Sequence, residues 1–158
     1  MRAIAVPRQR DGRRWPGVAF IIGGAIMVAT WPIFTTLHGP TSVNEGGELL
    51  GLDGEFWGAI MEGPSLLLIA AGLVGARHVL VAGDGRGPAV GWWLVVVGLV
   101  LTALGTIAVL APWPPLLAPI VAAGLFLLGR GHRGSEGGTR RVRLLLYAMG
   151  ATQLFALL

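Results

Sequence analysis

The chain has 158 residues, of which 54% are hydrophobic and only 13% charged, with 26 Gly, no Cys and a mean hydropathy of +0.71. Soluble domains carry about a quarter charged residues, so a water-soluble core of this length could not hide so much apolar surface, and lipid is expected to solvate part of it. The absence of Cys excludes disulfides, thiolate metal sites, iron–sulfur clusters and thiol nucleophiles, and the net charge of +4 is not read as nucleic-acid binding because the cations flank apolar runs.

Residues 1–17 form a basic segment with Arg2, Arg8, Arg10, Arg13 and Arg14. The first apolar run, 18–37, covers about 30 Å as a helix, enough to cross a bilayer. It lacks an Ala-x-Ala-like site and is long for a signal core, so it is expected to be a retained anchor. A connection at 38–55 carries Glu45, Glu48, Asp53 and Glu55 without a balancing cation, and is read as a solvated acidic loop.

The second run, 56–76, is interrupted by Glu62-Gly63-Pro64. One kinked helix is preferred. In the rival reading a helix starts at Pro64 and runs to Ala82, with 49–61 lying along the surface. The third run, 90–111, is uninterrupted; the fourth is 112–129; the fifth, 144–158, is short unless Val142 and Arg143 join it by snorkelling, which extends it to 142–158. The segment 83–87, Gly-Asp-Gly-Arg-Gly, is read as a turn, and 130–143 as a Gly-rich flexible loop. The pattern predicts an all-α, polytopic transmembrane helical bundle of five spans, or four if the last does not cross.

All 12 cations are Arg, and they fall in alternate connections: before the first run, at Arg77 and Arg86, and at Arg130, Arg133, Arg140, Arg141 and Arg143. Arg resists translocation, so the Arg-bearing side is expected in the cytoplasm, with the N-terminus inside and the C-terminus outside. Arg13, Arg14, Arg77, Arg140, Arg141 and Arg143 are the candidate contacts to anionic lipid. Trp15, Trp92 and Trp93 fall near the cytoplasmic boundary, Trp57 and Trp113 near the other. Arg-only basic usage with abundant Gly and Ala points to a high-GC bacterium and its inner membrane.

Two helix faces stand out. Gly58, Glu62, Ser65, Ile69, Gly72 and Ala76 follow steps of four and three, which places them on one narrow stripe, opposite Ile60, Leu67 and Val74. Small residues on a shared stripe let membrane helices approach closely. Glu62, the only acidic residue inside an apolar run, is thereby expected to face the protein, with Ser65, Thr35, Thr36 and His38 as its candidate polar neighbours. Gly91, Gly98 and Gly105 recur at heptad spacing with Thr102 on the same face, which suits packing at small crossing angles. That face would serve packing within one chain in preference to homo-oligomerisation.

No residues signal a cofactor or a metal site: His38, His78 and His132 are scattered, and the acidic loop lacks calcium-loop spacing. No nucleophile elbow, P-loop or zincin motif is present. The expected function is non-enzymatic, an accessory or assembly subunit of a larger membrane complex whose partners are the bilayer, other membrane subunits or a second copy. The alternatives are a small transporter or channel with Glu62 in a proton or cation path, and an intramembrane enzyme on a lipidic substrate with Glu62 as general acid.

Overall fold

The computed structural model describes residues 14–38, 50–81, 86–108, 114–131 and 137–155. Nearly all of them are helical. The longer helices are α1 (Trp15–His38), α2 (Gly54–Gly75), α3 (Arg86–Ile107), α4 (Pro114–Gly131) and α5 (Gly137–Phe155), and a single turn, Arg77–Leu80, follows α2. Two of them, α2 and α3, are long and apolar enough to cross a membrane; Trp15–Thr30 and Leu117–Gly131 are shorter apolar helices.

Each helix makes its extensive contacts with its neighbours in the chain: α1 with α2, α2 with α3, α3 with α4, α4 with α5. The arrangement is a row of antiparallel hairpins. It does not close on itself, since α1 and α5 make no comparable contact with each other or with non-adjacent helices among the described residues.

Glycine determines how closely the helices sit. A Cβ built on Gly91 would stand 2.7 Å from the Gly124 carbonyl oxygen, and one on Gly124 would stand 2.7 Å from the Gly91 carbonyl oxygen. Two backbones therefore touch at this crossing, and any side chain would separate them. One heptad along, Gly98 receives Val121, whose Cγ2 would lie 2.6 Å from a Cβ there. The Gly91 and Gly98 face read from spacing is thus the α3–α4 seam of a single chain. Thr102 sits one turn beyond and turns its hydroxyl back to the Gly98 carbonyl at 2.8 Å, while Gly105 is half-buried.

The α1–α2 seam follows the same logic. Gly23 lies against Ser65 and Ile69, Gly72 against Phe20 and Pro16, and Gly75 against Trp15 and Pro16. On α2, Gly63 meets Ile107 and Ala103 of α3. Phe126 and Tyr147 pair between α4 and α5 with ring centroids 5.7 Å apart.

Where the hairpins meet, Leu73, Trp92, Val95, Val96, Val121, Leu125, Leu128 and Leu146 form one buried cluster drawn from α2 to α5. Trp92 is its polar anchor. Its indole N–H donates to the Leu73 carbonyl at 3.1 Å, near the C-terminus of α2. The last carbonyls of a helix have no partner within it, and the break at Ala76 (φ −89°, ψ 4°) prevents the following turn from continuing the ladder. Trp92 is only 4% exposed. An indole placed by sequence near the boundary is therefore a core residue, whereas Trp93 beside it is exposed.

Overpacking a close helix contact typically costs about 1–3 kcal/mol, and exposed apolar swaps cost about 0.5 kcal/mol or less. Gly98→Leu should accordingly melt well below the parent in detergent, while Val97→Leu, at a position 45% exposed, should melt with it. Equal melting of the two variants would refute the tight seam. Trp92→Phe should cost about 1–3 kcal/mol by leaving the Leu73 carbonyl unpaired, read by the same melt.

Candidate functional site

The site is built where α2 departs from regular helix. Asp53 starts α2 by accepting the Phe56 N–H at 2.7 Å, after Leu50 and Gly51 turn the chain with φ of 59° and 75°. Pro64 then has no N–H to give the Ile60 carbonyl, and its ring would crowd that carbonyl in an α-turn. The backbone answers with a wider π turn over Gly58–Glu62, in which the Gly63 N–H reaches five residues back to the Gly58 carbonyl. Such turns are often found at functional positions. The helix stays continuous from Gly54 to Gly75, as in the kinked-helix reading, with the accommodation made by a π turn.

The extra residue in that turn changes who sits over whom. Gly58 stacks on Gly63, so the step of four that joined Gly58 to Glu62 is interrupted, while Glu62 and Ser65 keep their helical spacing. Gly58, Gly63 and Ser65 are buried, and Glu62 is half-buried. Counting back along the regular part of α2, Glu62 continues the line of Leu66, Ile69 and Leu73. Leu73 belongs to the core and Ile69 packs against it. The carboxyl thus stands about 12 Å in from the start of α2, at the acidic end of an otherwise apolar line, while Ile60 and Val74 are exposed as their opposite placement requires.

Ser65 is fully buried on the α1 side. Its hydroxyl donates to the Glu62 backbone carbonyl at 2.8 Å and lies 4.0 Å from the Met27 sulfur. This contact fixes the register of the two helices. With Met27 level with Ser65, the residue one turn further on α1, Thr30, comes level with Glu62. Thr30 is 3% exposed and donates its hydroxyl to the Ile26 carbonyl at 2.8 Å, leaving oxygen lone pairs available. Thr30 was not apparent from sequence, because only the register reveals it. The side chains of Thr35, Thr36 and His38 lie outside the described residues. On α3, Thr106 also turns back, to the Thr102 carbonyl at 3.0 Å.

Among the described residues the Glu62 carboxyl meets no hydrogen-bond or ion-pair partner, and no three His, Asp or Glu side chains converge. Every described arginine, Arg14, Arg77, Arg86, Arg130, Arg140, Arg141 and Arg143, lies at the other end of the helices, as the antiparallel contacts of Gly72 with Pro16 and of Gly91 with Gly124 require. Arg13 falls outside the described residues. The row is electrically polarised: cations at one end, Asp53, Glu55 and Glu62 toward the other.

A half-buried carboxyl without compensation costs stability, so Glu62→Leu should raise the melting temperature by the equivalent of about 1 kcal/mol. A clear fall would mean that the carboxyl has a stabilising polar partner. In comparisons with known proteins, no family model, curated protein or solved structure matches this chain.

Proposed function

We propose that the chain is a small multi-pass protein of a bacterial inner membrane that serves as an accessory or assembly subunit of a larger membrane complex. The observation that carries this reading is the open row. The outermost helices, α1 and α5, each have extensive contacts with one helix only. Ile21, Val28, Leu144 and Leu145 remain well exposed on them. A row of hairpins that does not close leaves helix faces for other subunits, and tight glycine seams keep those faces in fixed positions.

The five longer helices are proposed as five crossings. Alternating arginine supports the cytoplasmic placement of the Arg end, with α1 entering from the cytoplasm and α5 ending outside. The weakest element is α5, which begins with polar residues and carries Arg140, Arg141 and Arg143 in its first two turns. Snorkelling of these arginines at its N-terminal end lets the shorter apolar stretch span.

A second reading is favoured by Glu62. A carboxyl beside a π turn, level with the buried Thr30 hydroxyl, is a relay point for a proton or small cation in this reading. The intramembrane-enzyme reading has no observation of its own.

Two measurements separate these readings. Extraction in mild detergent followed by native mass determination should give a stoichiometric assembly with other membrane subunits; free monomer alone would sink the accessory reading. Reconstituted vesicles should show no ion flux attributable to the chain; flux abolished by Glu62→Gln would establish the transporter reading in its place. For topology, a periplasm-dependent phosphatase fused after Leu158 should be active and one fused within 131–138 inactive. An inactive C-terminal fusion would leave four crossings.

A further inference from the structure

We infer that the corner where α1 begins and α2 ends is a fixed binding site for the phosphodiester headgroup of an anionic phospholipid, centred on Arg14 and Arg77. This rests on the membrane reading above. Arginine spacing alone marks six candidate residues without ranking them; the geometry ranks two.

Trp15 and Pro16 at the start of α1 pack on Gly75 and Gly72 at the end of α2, so the backbones of Arg14 and Arg77, one and two residues from that contact, lie at one corner. Arg14 is itself tied to the helix, its carbonyl accepting the Val18 N–H at 3.1 Å. Beyond it the first turn of α1 offers its N–H end, and Gly17 is open, with nothing within 4 Å of a built Cβ. The positive end of a helix adds to the attraction that Arg14 exerts on an anion.

Arg77 is held from below. Its guanidinium carbon stands 5.1 Å over the centre of the Trp92 ring, and that ring is immobilised by its bond to the Leu73 carbonyl and by burial in the core. A cation laid on a fixed aromatic face keeps its planar fork oriented, with its N–H edges free for bidentate contact to phosphate. Trp93 stands edge-on to Trp92 with centroids 4.8 Å apart and is 56% exposed, at the level where an indole meets glycerol and headgroup. Arg14 and Arg77 are both exposed, and among the described residues neither has a carboxylate partner. Two cations, a helix N-terminus and an exposed indole, with no carboxylate partner among the described residues, are complementary to a lipid phosphate whose acyl chains run down the apolar helix face.

The test uses the full chain in nanodiscs of phosphatidylcholine containing a minority of phosphatidylglycerol, with retained lipid counted by native mass spectrometry. A headgroup-level cation is worth about fivefold in binding, so two should give phosphatidylglycerol roughly a twentyfold preference. Arg14→Gln/Arg77→Gln should lose most of it, whereas Arg140→Gln/Arg141→Gln, which removes the same charge, should keep it. If the double variant melts early in pure phosphatidylcholine, Arg14→Gln alone, at an exposed position, carries the comparison and should lose about fivefold. No preference in the parent, or equal loss in the Arg140/Arg141 control, would overturn the site in favour of diffuse charge. Displacement by millimolar glycerol phosphate would also overturn it, as a soluble-phosphate site. Failure of the chain to float with phosphatidylcholine vesicles would instead sink the membrane reading itself.

Discussion

At Gly91 and Gly124 two helix backbones touch, each glycine facing the other's carbonyl oxygen, which leaves no room for a side chain on either. In water, such a crossing would be only one contributor beside apolar burial. In hydrocarbon, lipid tails compete equally for leucine, and helices hold together through close packing and hydrogen bonds. The α3–α4 seam then sets the position of the central cluster, because Val95, Val121, Leu125 and Leu128 interdigitate only when the axes are that close. The other seams repeat the device with one glycine facing a larger partner, Gly23 facing Ser65 and Ile69, Gly63 facing Ile107, Gly129 facing Tyr147.

Trp92 connects this packing to the polarised ends. Its ring belongs to the core, its N–H satisfies the end of α2, and its face carries Arg77. One side chain thus links the termination of a helix to the placement of a charge. At the opposite end, Pro64 forces a π turn, and that turn sets the angle at which Glu62 leaves α2. Both ends are governed by what happens to backbone carbonyls when the regular ladder stops.

Composition and arginine spacing made the helical class and the approximate helix positions legible, since long apolar runs and their punctuation depend on local sequence alone. The Gly91–Gly98 face was legible for the same reason. Glu62 was legible as an oddity, but its stripe only in part: a period of 3.6 residues carried from Gly58 to Glu62 ignores the residue that the π turn over Gly58–Glu62 inserts. Gly124, Gly23 and Thr30 were missed because each gains meaning only from the register of a partner helix, fixed by contacts such as Ser65 with Met27. Trp92 was read as a boundary residue, but whether an indole faces headgroups or the core depends on its rotational position, which tryptophan content does not reveal.

The serial packing has a bearing on biogenesis. Because every extensive helix contact is with a chain neighbour, no helix must wait for a distant one to be synthesised before it finds its partner. Such local topologies fold without long loop closures. The row can be laid down from the N-terminus in the order of translation, α2 docking on α1, then each helix on the last, with the glycine seams zipped one at a time. What emerges is a one-dimensional assembly line in which each seam is complete before the next helix is made.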